Sequence, residues 1–186
     1  MNEAEWVKRM AERINAAALS HVPSLEVRVG CKISYGYEIL SYGEAPQPNK
    51  IEFQTDLAII ETDDRGQWKP RVVIEAKIRS INTHDAITYS QKAASHKAVH
   101  PYLRYGIMLG DRKHYPLPGR LYRHGLQFDF MVSFRSTEPT EHEMLRLAHL
   151  LQSEVEASRT LEKIIYESRS RNRDHYTILH RRLDLE

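Results

Sequence analysis

Two apolar, branched segments with charges set into them lie on either side of a turn between residues 51 and 78, and they restrict the fold more than anything else in the chain. Side chains alternate along a strand. In 51–60 this puts Ile51, Phe53, Thr55, Leu57 and Ile59 on one face, and Glu52, Gln54, Asp56, Ala58 and Ile60 on the other. Thr62-Asp63-Asp64-Arg65-Gly66 is a turn signal. The returning strand is Arg71-Val72-Val73-Ile74-Glu75-Ala76-Lys77-Ile78, so the two segments read as a hairpin. Charges among such neighbours are costly unless they are paired or liganded. Asp56, Glu75 and Lys77 therefore require a chemical explanation.

The rest of the chain supplies elements that can flank this hairpin. Trp6, Val7, Met10, Ile14 and Ala17 recur at helical spacing over 3–19, and Pro23 ends that helix. Leu25 to Val29 and Lys32 to Ser41 read as strands, joined as a hairpin around Gly30, and a Pro- and Gly-containing loop follows at 43–49. Thr83 to Val99 has helical character and stops before Pro101; 104–109 is a short apolar strand, 110–125 a loop, and 128–134 another strand. Thr140 with Glu143 forms a capping box opening a helix to about residue 168, with Met144, Leu147, Leu151 and Val155 as its apolar stripe. The expected fold class is α/β, a central mixed sheet flanked by helices, in one domain over 1–186. A chain of 186 residues is long enough to bury one core.

Glu75 and Lys77, two apart on a strand, project together, and a paired strand lies about 5 Å away. Asp56 can then meet Glu75 across the hairpin. Two close carboxylates repel unless a cation sits between them. Hard oxygen donors select Mg²⁺, which keeps several waters, and the Ala76 backbone carbonyl is a further ligand candidate. Such a cation polarises a phosphate and lowers the pKa of bound water, while Lys77 orients that water or stabilises charge on phosphorus. Glu-x-Lys alone occurs by chance; its context in a branched strand, with an acid on the strand before it, gives it weight.

The pattern Asp56…Glu75-Ala76-Lys77 resembles the PD-(D/E)xK nuclease superfamily, the restriction endonuclease-like fold, over about residues 3–134. The resemblance implies a Mg²⁺-dependent DNA endonuclease, with Mn²⁺ able to substitute. Asp56 and Glu75 would bind the metal and Lys77 would assist the attacking water. The proline often found before the Asp is Thr55 here. Family members place an acid of the first helix near the metal, for which Glu12 is the best match and Glu5 the second. A polar residue of the helix after the Lys strand often enters the site, which points to Gln91 or Lys92, ahead of His84 and Tyr89. The favoured activity is that of a type II restriction endonuclease or its cleavage subunit. The alternatives are a repair or recombination nuclease such as a Holliday junction resolvase and, in another class, a non-catalytic DNA-binding or assembly protein. Double-stranded DNA is the expected partner. One site cuts one strand, so a homodimer or partner subunit is expected too, with the long C-terminal helix as its face.

Charge agrees with an acidic partner: net charge is +2 and the pI about 8.6. Arg112, Lys113, Arg120 and Arg123, with Tyr115 and Tyr122 interleaved, are candidate DNA contacts in the 110–125 loop. Arg169, Arg171, Arg173, Arg181 and Arg182 make a basic tail. The single cysteine, Cys31, excludes an internal disulfide. No membrane span is expected, and a cytoplasmic location is. Other chemistries lack their residues. His142-Glu143-Met144-Leu145-Arg146 has Arg where a zinc protease has its second His, and there is no Cys-x-x-Cys, phosphate-cradling Gly-rich loop or Gly-x-Ser-x-Gly.

Overall fold

A computed structural model describes residues 1–112 and 117–167. The chain runs α1 (Glu3–Ile14), β1 (Leu25–Val29), β2 (Lys32–Ser41), β3 (Gln47–Gln54), β4 (Leu57–Thr62), β5 (Trp68–Ile78), α2 (Thr83–Val99), β6 (Arg104–Gly110), α3 (Gly119–His124), β7 (Phe130–Ser133) and α4 (Glu141–Glu167). A π-helical turn, Asn15–Leu19, continues α1. The main sheet has five strands in the order β1-β4-β5-β6-β7. β1, β4 and β5 pair antiparallel, and β5, β6 and β7 parallel, so the sheet is mixed as expected.

Strands β4 and β5 are apolar on both faces, and helices cover both. Leu57, Ile59, Val72, Ile74 and Ala76 pack with Trp6, Met10 and Ile14 of α1 and with Leu147, Leu151 and Val155 of α4. Ala58, Ile60 and Val73 face the other way, towards Ala86 and Ala93 of α2 and Leu121 of α3. The α4 stripe is thus buried in this core and is not an outward dimer face; the exposed apolar residues near the helix end are Ile164, Ile165 and Tyr166. No helix among the described residues is long and apolar enough to cross a membrane.

Three expected elements come out differently. Residues 51–60 are not one strand of one sheet. Residues up to Gln54 pair with β2 in a separate two-stranded sheet, and those from Leu57 on pair with β1 and β5. Nor do β1 and β2 form a hairpin around Gly30. Val29 faces Leu57 and Lys32 faces Gln54, so β1–β2 and β3–β4 are one antiparallel ribbon, bent where Gly30-Cys31 opposes Thr55-Asp56. Gly30, at φ +65°, lets the chain bend there, in a conformation side-chain-bearing residues adopt only at a cost. The bend is held by the Thr55 N–H and hydroxyl donating to the Cys31 carbonyl (2.9 and 3.0 Å) and by the Gly30 N–H donating to the Asp56 carbonyl (3.2 Å). Alternation alone could not report it, because the apolar pattern runs through the bend. In the expected 110–125 loop, Gly119–His124 is helical.

The N-terminus of α1 is fixed at one end of the main sheet by Trp6. Its ring lies over Gly110, where a Cβ would come within 2.6 Å of it. Its indole N–H donates to the Thr137 carbonyl at 3.0 Å. Asn2 and Glu5 cap the helix reciprocally.

Candidate active site

The ribbon bend takes Asp56 out of ladder pairing and leaves its carboxylate beside β5. Leu57 faces Ile74, so the antiparallel register carries Asp56 opposite Glu75. Asp56 Oδ2 accepts the Ala76 N–H at 2.8 Å, substituting for the strand partner that β5 lacks there. The sequence predicts that Asp56 can meet Glu75 across the hairpin; the register sets the two opposite each other, and the hydrogen bond Asp56 makes is with the Ala76 N–H.

Glu75 is 1% exposed. Its Oε1 accepts the Tyr105 hydroxyl at 2.6 Å and pairs with Lys92 Nζ at 2.7 Å. Burial pushes the Glu75 carboxyl pKa up; the Lys92 ammonium and the Tyr105 hydroxyl pull it back only in part, and Asp56 adds to the rise. Burial, and next the negative charge of Glu75, raise the Tyr105 pKa and keep its hydroxyl a donor. Of the two α2 candidates, Lys92 therefore reaches the site. It also donates to the Gln54 carbonyl (3.1 Å) and lies 5.8 Å from the Phe53 ring centroid and 5.6 Å from that of Tyr89. Gln91, one residue earlier, is on the exposed face of α2, as helical spacing requires.

Lys77 points to the same side of β5 as Glu75. Its Nζ lies 3.3 Å from Glu3 Oε1 and 5.8 Å from the centroid of Tyr89. Burial would lower the Lys77 pKa, but Tyr89 and Glu3 outweigh it and the net shift is upward, so the group is held as an ammonium. Glu3 Oε2 also accepts the Ile78 N–H at 3.2 Å. The acid that α1 contributes is thus Glu3, neither Glu12 nor Glu5. Glu12 is exposed, with no side-chain hydrogen bond or ion pair to any described residue, and Glu5 is occupied in the helix cap. The signal for Glu3 was its place in the first turn; what selects it is the end of α1 that Trp6 anchors over Gly110.

The basic candidates divide. Arg112 Nη1 donates to the Arg79 carbonyl at 2.5 Å and Arg120 Nη1 to the Ile81 carbonyl at 3.0 Å, so both brace the segment leaving β5. Arg123 is exposed on α3. Lys113 and the basic tail from Arg169 lie outside the described residues. Tyr105 was not singled out in the sequence, because a tyrosine in an apolar strand carries no spacing signature.

Two carboxylate oxygens, Asp56 Oδ1 and Glu75 Oε2, accept no hydrogen bond from any described residue. In an extended strand a residue's N–H and C=O point to the same edge, so the Ala76 carbonyl shares the Asp56 edge with its N–H. This donor set is all oxygen and suits a hard divalent cation. Among the described residues no three His, Cys, Asp or Glu side chains gather as a metal centre, so any such ion would depend on carbonyl, water and substrate oxygens as well. Compared with protein-family models and with curated protein sequences, the chain matches none.

Proposed function

We propose that this chain is a Mg²⁺-dependent DNA endonuclease of the PD-(D/E)xK kind, with Asp56, Glu75 and the Ala76 carbonyl holding the ion and Lys77 serving the attacking water. The observation that carries the reading is the Asp56 carboxylate fastened to the Ala76 N–H at 2.8 Å, which sets the acid of one strand against the Glu-x-Lys of the next. The element order supports it: a leading helix, antiparallel strands bearing the acids, a helix, then a strand parallel to the Lys strand.

Each residue has a separable task. Tyr105 and Lys92 hold Glu75 Oε1 and leave Oε2 available. Ala76 N–H fixes Asp56 Oδ2 and leaves Oδ1 available. The Lys77 ammonium, held by Glu3 and Tyr89, orients the attacking water and adds positive charge near the phosphate as negative charge builds. Bound Mg²⁺ supplies Lewis-acid polarisation of the phosphate and a more acidic water. In the hydrolysis a water oxygen bonds to phosphorus and gives up a proton to solvent, the bond to one sugar oxygen breaks, and that oxygen takes up a proton from solvent. A restriction role would need a second copy or a partner subunit for the opposite strand.

Plasmid nicking and linearisation in Mg²⁺ tests the reading on wild type, Asp56→Ala and Lys77→Ala. Metal-dependent cutting lost in both variants supports it, and discrete fragments would point to restriction over junction resolution. Equal cutting by all three proteins would sink the site. One observation favours a second reading, a non-catalytic DNA-binding protein: Glu75 already has a cation in Lys92 at 2.7 Å. That version binds duplex with a steep salt dependence and cuts in neither Mg²⁺ nor Mn²⁺.

A further inference from the structure

Among the described residues, two non-glycine residues have left-handed backbone, Arg79 at φ 65° and Asp111 at φ 57°. They are neighbours in space. Arg79 follows the last residue of β5 and Asp111 the last residue of β6, and these strands lie side by side in parallel. The Arg79 N–H donates to the Gly110 carbonyl at 2.9 Å, and the Ser80 N–H folds back to the Ile78 carbonyl at 2.8 Å. The Arg112 guanidinium closes on the Arg79 carbonyl, and the Arg112 N–H is tied to the Phe134 carbonyl at 3.0 Å. The turn is therefore built from several directions, although it forces a bulky residue into a region glycine would occupy freely.

Packing does not explain why an arginine stands there. The Arg79 side chain is 70% exposed, and among the described residues its one ion pair is a 3.4 Å approach of Nε to Asp111 Oδ2. Neither terminal guanidinium nitrogen, two residues beyond Lys77, has a hydrogen bond or ion pair with a described residue. The place is the carboxyl end of parallel strands, where ligands of open α/β sheets bind. Non-glycine residues held in such backbone conformations cluster at functional sites, because the surrounding structure must maintain them.

We propose that Arg79 is a substrate-binding residue: its guanidinium takes a backbone phosphate of the duplex next to the one Lys77 serves, and the paired left-handed turns at Arg79 and Asp111 hold it out to do so. The proposal rests on the nuclease reading and names a contact of that same site. Arginine suits the task because its planar fork meets two phosphate oxygens at once. Asp111, on Nε alone, orients the fork and leaves the terminal nitrogens for the ligand.

Equilibrium binding of a labelled DNA duplex over a range of salt, with Ca²⁺ in place of Mg²⁺ to prevent cutting, tests it on wild type, Arg79→Gly and Arg79→Lys. Glycine tolerates the left-handed backbone, so Arg79→Gly removes the side chain without opposing the turn. Its expected result is a several-fold weaker affinity and a log–log salt slope shallower by about 0.9, the contribution of one phosphate, with a melting temperature close to wild type. Arg79→Lys keeps the slope. Wild-type affinity and slope in Arg79→Gly would overturn the proposal while leaving the nuclease reading standing. A slope lost in Arg79→Lys as fully as in Arg79→Gly, or weakened binding accompanied by a clear fall in melting temperature, would also overturn it. No duplex affinity in wild type would end both.

Discussion

Glu75 shows how the candidate site is maintained at the level of single residues. A carboxylate 1% exposed in an apolar strand persists because Tyr105 and Lys92 meet the same oxygen. Lys92→Met removes the cation and leaves the acid buried, and should cost on the order of 3 kcal/mol in urea unfolding. Adding Glu75→Gln to that variant should recover part of the loss; a single variant as stable as wild type would show that the pair carries no weight. His96 behaves differently. It is fully buried, stacked on Tyr105, with Nε2 on the Ile33 carbonyl and Nδ1 without a hydrogen-bond partner among the described residues. Burial pushes its pKa down from 6.5 to about 4. The unfolded chain thus binds a proton at higher pH than the folded one, so His96 costs stability as pH falls from about 6.5 to about 4 and costs nothing more below. Unfolding of wild type and His96→Gln across that window should show a shallower fall for the variant, and parallel curves would exclude the effect.

At the scale of elements, glycines decide how closely neighbours approach. A Cβ on Gly106 of β6 would lie 2.2 Å from the Phe130 ring of β7, and one on Gly110 would lie 2.6 Å from Trp6. Both neighbours are buried aromatic rings with little room to retreat. Gly106→Ala should therefore lower stability by roughly 1–3 kcal/mol, the usual cost of overpacking, read by denaturant midpoint. Gly110→Ala should act on the site as well, because Trp6 anchors the turn that holds Glu3 against Lys77. A change in tryptophan emission is expected, together with slower plasmid cutting under the proposed nuclease reading, and an unchanged spectrum would separate Trp6 from Glu3 placement.

For the whole molecule, α4 is tied across the sheet by charge as well as by its apolar stripe. Arg71, nearly buried on β5, reaches Glu61 at 2.7 Å and Glu162 at 2.6 Å, Lys69 reaches Glu162, and Arg159 reaches Glu61. Burial pushes both carboxyls up, but at Glu61 Arg159 and Arg71, and at Glu162 Lys69 and Arg71, more than reverse it and hold them below the usual 4.5. Their stabilisation is present above that value and is lost as pH falls through the lowered folded values. Acid unfolding should therefore steepen below about 4.5, overlapping the low-pH end of the His96 window and continuing beneath it. Arg71→Met should flatten that lower limb, seen by circular dichroism during acid titration; an unaltered limb would place the acid sensitivity elsewhere.

What the sequence by itself determined is local. Period-two alternation is a property of any extended chain, so 71–78 alone puts Glu75 and Lys77 on one face with Val73 and sends Val72, Ile74 and Ala76 to the other. The turn chemistry of 62–66 likewise determined that β4 and β5 pair antiparallel, and that brings Asp56 to Glu75. Tertiary structure decided the remainder. The ribbon bend at Gly30 and Thr55 depends on bonds between segments 24 residues apart, which no local pattern records. Glu3 in place of Glu12 depends on which end of α1 meets the sheet, and the choice between Gln91 and Lys92, which the sequence leaves open, on which face of α2 turns inward. Tyr105 becomes a partner of Glu75 only through the parallel pairing of β5 with β6. Periodicity assigns faces within an element, whereas the partner of each face is selected by packing among elements far apart in the chain.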